Sequence, residues 1–159
     1  MVGKYTSPLG TITFFVEGEK LCDMTIDDLN LSIDHHPMLD EISNQLDLYF
    51  KGQLKKFSIP IDLKGTPFQC SVWQSMMEIP FGETKSYQEI AQRIGKPKAV
   101  RAVGQACKRN PIGIIVPCHR VIGKDGSLTG YSGPNHVGLK QKLLMHEQNR
   151  DFKRIKQVT

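Results

Sequence analysis

The 159 residues carry a net charge of +5, no cysteine pair closer than 11 residues, and no apolar run near the ~20 residues that a membrane-spanning helix needs. That excludes a disulfide-framed secreted scaffold, a zinc knuckle and a thioredoxin-type CxxC site, and it predicts a reduced cytoplasmic protein without a signal peptide. The charge is uneven: residues 1–64 hold 6 Lys and Arg against 10 Asp and Glu, and residues 65–159 hold 15 against 6. A basic C-terminal part points to a polyanion, nucleic acid first.

In chain order, "GTITFFV" alternates with Ile12, Phe14 and Val16 on one face, and "LCDMTI" alternates with Cys22, Met24 and Ile26. Gly18 between them predicts a hairpin, with Cys22 as a small buried hydrophobe. Leu39, Ile42, Leu46, Tyr49 and Phe50 recur at helical spacing before Gly52. A boundary near residue 64 then separates an N-terminal domain, 1–64, from a C-terminal one, 65–159. The second opens on a helix with Thr66 as N-cap, Pro67 in the first turn, and Phe68, Val72, Trp73 and Met76 on its apolar face.

Ser86 and Glu89 form an S-x-x-E capping box ahead of Tyr87, Ile90, Ala91 and Ile94. Gly95 and Pro97 make a turn into a second helix, from about Lys98 to Arg109. Lys98, Arg101, Gln105 and Lys108 share a polar stripe there, and Ala99, Val103 and Ala106 are available for packing. This is the outline of a helix-turn-helix. Its small residues allow close approach to a groove, and Arg101 alone projects from the middle, so binding would rest on phosphate and shape more than on a base code.

The run Ile112–Val116 reads as a strand, with Cys118 emerging at its end after Pro117. Cys118 could be core filler, a metal ligand, a redox thiol or a nucleophile. An ordinary thiol is only a few per cent ionised at neutral pH, so a nucleophile needs a base or a cation, and His119 and Arg120 are adjacent. Neighbours in extended chain point opposite ways, so Cys118 and His119 would need a turn or a bridging water to cooperate. Glu147, at the end of "GLKQKLLMHE", could orient His119.

"NPIGIIVPCHRVIG", the downstream "TGYSG" and the helix pair upstream closely resemble the active-site region of the O6-alkylguanine-DNA alkyltransferases. The resemblance extends over nearly the whole chain, through "YTSPLGTITF" and "PFQCSVWQ", and is strongest to the stand-alone bacterial form. It implies an α/β fold class: a small ribonuclease-H-like N-terminal domain, then a mostly helical, winged-helix-like domain carrying the helix-turn-helix.

By the same resemblance, Cys118 accepts the alkyl group, His119 is its water-mediated base, Glu147 orients His119, and Asn110 ties the reading helix to the active-site strand. Tyr87 and the backbone at Ser132 support the leaving guanine, with Lys140 a further candidate. Arg101 fills the space left by the flipped base, Ala99 lies on the DNA-facing helix, and Val121 and Tyr131 line the base pocket. The implied partner is double-stranded DNA bearing O6-alkylguanine, bound from the minor groove by a monomer that reacts once and needs no cofactor.

Three positions depart from the family pattern. Gly113 stands where several relatives carry proline, Thr129 and Gly130 replace a common Gly-Asn pair, and the loop "SGPNHVGLK" is longer than in some relatives. A zinc site is not expected, because Cys22, His35 and His36 have no second N-terminal cysteine beside them. Rival readings fare worse. An alkyltransferase-like binding protein would lack Cys118, a transcription factor would need long base-reading side chains, and a cysteine hydrolase would leave the basic asymmetry unexplained.

Overall fold

The computed structural model describes residues 1–127 and 136–148. The described residues divide into two compact units, Met1–Lys64 with Pro111–Gly113, and Gly65–Asn110 with the described residues from Ile114 on.

In the first unit three antiparallel strands, β1 (Val2–Ser7), β2 (Gly10–Glu17) and β3 (Lys20–Thr25), lie in chain order. The β2–β3 turn uses positive φ at both Gly18 (55°) and Glu19 (63°), the twist that two-residue hairpins prefer. Ile12, Phe14 and Val16 are buried on one face, as their alternation predicts. On β3 the alternation breaks. Phe15 pairs with Asp23 and Val16 with Leu21, so Cys22 is the extra residue of a bulge. Leu21 and Met24 therefore share the core face, and Cys22 is only half-buried, its thiol on the Phe15 carbonyl at 3.4 Å, rather than the core residue expected.

Strand β1 was not evident in the sequence, because its buried face includes Gly3, which has no side chain to signal it. The missing side chain is used: a Cβ at Gly3 would lie 2.4 Å from Phe14 Cε2. Helix α1 (Pro37–Phe50) buries Leu39, Ile42, Leu46 and Tyr49, and the His36 imidazole caps it by accepting the Met38 N–H at 3.1 Å.

The second unit is mostly helical. Helix α2 (Pro67–Met77) starts with a full Thr66/Gln69 capping box, and Trp73 Nε1 donates to the Ala106 carbonyl at 2.9 Å, tying it to α4 (Val100–Lys108). Helix α3 (Tyr87–Arg93) begins with the expected Ser86/Glu89 box. Gly95, at φ 76°, makes the turn toward α4. Helix α4 starts later than expected, at Val100, because Ala99 can offer no side-chain cap to hold another turn. Its inner side buries Val103, Ala106 and Cys107, leaving Lys98, Arg101, Gln105 and Lys108 exposed.

Two short parallel strands, β4 (Lys85–Ser86) and β5 (Val121–Ile122), pair Lys85 with Val121. That register lays the two residues leading into α3 alongside the two that follow Arg120. Helix α5 (His136–Glu147) completes the described part. Among the described residues no helix is long and apolar enough to cross a membrane.

The expected strand Ile112–Val116 does not form. Ile112 makes an isolated bridge with Met24 inside the first unit, and the chain then turns, with Ile114 at φ +71°. A left-handed conformation in a β-branched residue costs of order 1–3 kcal/mol, so this buried segment is held by its surroundings against its own preference.

Candidate active site

Pro117 feeds a single 3₁₀ turn, Cys118–Arg120, and not a strand end. The Cys118 N–H donates to the Val116 carbonyl at 2.8 Å, the Arg120 N–H to that of Pro117 at 2.9 Å, and all three turn residues are buried. The extended-chain objection to cooperation between Cys118 and His119 therefore falls, since a tight turn replaces the extended backbone.

Asn110 follows the C-terminus of α4. Its Nδ2 donates to the Val116 carbonyl at 2.8 Å and to Cys118 Sγ at 3.3 Å, so one amide fixes both the turn and the sulfur. Burial pushes the Cys118 thiol up to about 11, against the Asn110 hydrogen bond and the nearby Lys140 charge, which lower it. Burial likewise pushes up the neighbouring thiol of Cys107, whose sulfur lies 3.6 Å from Met76 Sδ.

Helix α5 supplies two buried ionisable groups. Glu147 Oε2 lies 2.6 Å from His119 Nε2, while Arg120 grips the same carboxylate through Nε (2.8 Å to Oε1) and Nη2 (3.0 Å to Oε2). Burial raises the Glu147 pKa, but His119 and Arg120 outweigh it and hold the group well below the usual carboxylate range. Burial lowers His119, against the pull of Glu147. An ionised carboxylate only accepts, so His119 carries its proton on Nε2 and presents a bare Nδ1. That atom is buried and has no hydrogen-bond partner among the described residues.

Lys140, fully buried on α5, donates from Nζ to Tyr87 Oη at 3.1 Å, and burial lowers its pKa to about 8. Tyr87 is at the first position of α3 and nearly buried.

Cys118, His119, Glu147, Asn110, Tyr87 and Lys140 thus lie in one unit around one turn. Val121 directly follows that turn and is fully buried, while Arg101 is exposed and Ala99 half-buried on and before α4. Tyr131 and Ser132 lie outside the described residues, as do Thr129, Gly130 and the first part of the longer loop. Arg120, read in the sequence only as a possible aid to the thiol, is directed instead at Glu147 and, through Nη1, at the Ile79 carbonyl (2.7 Å). Adjacency could not reveal that, because the partner is 27 residues away. Among the described residues no group of three or more His, Cys, Asp or Glu could hold a metal ion.

Two family models match the chain: the ribonuclease-like domain of 6-O-methylguanine DNA methyltransferase over residues 1–63 and its DNA binding domain over 67–149. A methylated-DNA–protein-cysteine methyltransferase of Methanosarcina barkeri is 47% identical over 135 residues, 85% of this chain and 82% of its own. That of Mycobacterium leprae is 46% identical over 147 residues, 89% and 87% of the two chains. Among solved structures, Mycobacterium tuberculosis O6-methylguanine methyltransferase superposes with a TM-score of 0.82 at 39% identity over 100% of both chains. The same organism's OGT in complex with DNA gives 0.83 at 40% identity over 97% of each. With both halves matched by consecutive models and whole-length relatives well above 30% identity, the chain belongs to the 6-O-methylguanine DNA methyltransferase family.

Proposed function

We propose that this protein repairs DNA by direct reversal, flipping O6-alkylguanine, and O4-alkylthymine, out of the duplex and transferring the alkyl group irreversibly to Cys118. The observation that carries the reading is a buried thiol on the same turn as a histidine whose Nδ1 is bare and whose Nε2 is fixed by Glu147.

At a pKa of about 11, roughly one Cys118 in ten thousand is ionised at pH 7, so the resting protein holds a thiol. The proton must leave as the substrate arrives. His119 Nδ1 takes it across one water molecule, and neutral His119 is competent to do so. The sulfur then displaces guanine at the alkyl carbon: the S–C bond forms, the C–O6 bond breaks, and the bond's electron pair goes to the departing base. Tyr87 is assigned to that negative charge: its O–H gives its proton to the departing base, and Lys140, which donates to its oxygen, restores it. A thioether has no leaving path comparable to the guanine's, so each molecule reacts once.

The exposed stripe of Lys98, Arg101, Gln105 and Lys108 suits phosphate contact, with Arg101 entering the minor groove where the base has left and Ala99 near the groove wall. Val121 and Tyr131 are assigned to the base pocket, and the Ser132 backbone to the leaving guanine. The protein acts as a cytoplasmic monomer, in keeping with four free cysteines.

The test is intact-protein mass after incubation with duplex DNA carrying one O6-methylguanine, beside a Cys118→Ala control. A gain of one methylene that stops at one equivalent, and is missing in the control, supports transfer. Tight lesion binding without any gain would make the protein a damage sensor instead.

A further inference from the structure

We infer that Arg120 is a positioning residue of the transfer reaction: its guanidinium holds Glu147 ionised and in place, and thereby keeps His119 in the tautomer with a bare Nδ1. This rests on the reading of Cys118 as alkyl acceptor and extends it to a residue that touches neither the thiol nor the base.

The carboxylate stands where a negative charge is hard to keep. Glu147 is the last residue of α5, at the end of a helix where the backbone dipole disfavours an anion, and it is buried. A neutral glutamic acid there would carry its own proton. It could then donate to His119 Nε2, the imidazole proton would move to Nδ1, and the base would be blocked at the atom that must receive the Cys118 proton.

Several charged groups bear on this choice. His119 and Arg120 come from the 3₁₀ turn, and Lys140, on α5, acts on His119 as a cation that disfavours imidazolium. His146, next to Glu147, instead meets the Phe81 ring edge-on at 6.2 Å. Of these, only Arg120 combines a permanent charge with a grip on both carboxylate oxygens. Its own position is set independently, by Nη1 on the Ile79 carbonyl and by the Phe81 ring at 5.9 Å. A planar fork anchored on its far side fixes the carboxylate plane as well as its charge.

The experiment uses the full chain with Arg120→Met, with Arg120→Gln as a second neutral variant should the first not fold, and with Arg120→Lys as the charge-restoring control. Two readouts are taken. One is the His119 ring nitrogens by long-range nitrogen–proton correlation without DNA; the other is the single-turnover transfer rate from an O6-methylguanine duplex against pH.

Wild type is expected to show protonated Nε2 and bare Nδ1. In the neutral variants a protonated Nδ1 population should appear, and transfer at pH 7 should slow by roughly tenfold to a hundredfold, within the range general-base catalysis supplies. The acid limb of the rate should also move to higher pH, because Glu147 loses the guanidinium, which with His119 depresses its pKa. Lysine should return the limb most of the way. A neutral variant with the wild-type tautomer and an unmoved acid limb would overturn the inference, as would a wild type protonated at Nδ1. Since the tautomer is read without DNA, a protein that transfers nothing would overturn the proposed function while the Arg120 result still stands or falls alone.

Discussion

Lys140→Met removes an ionisable group from the interior while keeping an unbranched chain of similar length. Lys140 is fully buried, and its pKa falls from the ordinary 10.5 to about 8. A difference of about 2.5 units at 1.36 kcal/mol each means that the charged form is about 3 kcal/mol less favourable in the folded chain than in the unfolded one. The sign follows from proton counting. Between pH 8 and 10.5 the unfolded chain binds a proton at this site and the folded chain does not, so wild-type stability rises with pH by about 3 kcal/mol across that window. The methionine variant lacks this rise. At pH 7 it should be the more stable protein, by about 3 kcal/mol less the roughly 1 kcal/mol of the hydrogen bond to Tyr87.

The assay is urea unfolding of both proteins at intervals from pH 6.5 to 11, taking the difference at each pH. Cys118 titrates nearby with the opposite sign, since its raised pKa gives stability that is lost as pH rises from 9 toward 11. The comparison is therefore repeated in a Cys118→Ala background. A difference that stays flat from pH 8 to 10.5 in that background would mean that Lys140 keeps its ordinary pKa in the fold. The stabilised variant should also transfer methyl more slowly, the trade-off expected where a strained charge serves chemistry.

Three further outcomes are expected. Methylation of Cys118 puts an extra carbon on a buried sulfur already in contact with Asn110 at 3.3 Å; overpacking of about 1–3 kcal/mol should lower the melting temperature by about 2–10 °C, and equal melting before and after reaction counts against it. Gly113→Pro deletes the N–H that donates to the Met24 carbonyl at 3.2 Å, which should cost about 1 kcal/mol in urea unfolding, and an unshifted midpoint counts against that hydrogen bond. Gly3→Ala places a carbon 2.4 Å from the fully buried Phe14 ring and should destabilise the protein by about 1–3 kcal/mol, so an unshifted urea midpoint would show that the sheet has room the packing denies.

Local rules made part of this fold readable. Thr66 as an N-cap and Ser86 with Glu89 as a capping box are short-range signals that involve nothing beyond four residues. The hairpin at Gly18 is likewise local. What the sequence hid depended on partners far along the chain. The bulge that turns Cys22 off the core is set by how β3 registers on β2, and a uniform alternation passes through it without a sign. Gly3 buries a strand by lacking a side chain.

The site divides along the same line. Residue type raised a thiol, an imidazole and a distant carboxylate as candidates, and only the family resemblance singled out one role for Cys118 among several. The geometry of the site was not legible, since Ile112–Val116 looks in every local respect like a strand. β-Branched residues favour extended backbone, and Ile114 at φ +71° runs against that preference. The balance is tipped by groups outside the run. The Val116 carbonyl takes two donors at 2.8 Å, the Asn110 amide and the Cys118 N–H, and the guanidinium of Arg120 is drawn to a carboxylate on α5. A strand would send Cys118 and His119 to opposite faces. The strained turn instead keeps thiol, base and carboxylate in one unit, and its cost is offset by contacts that exist only once α4 and α5 are in place.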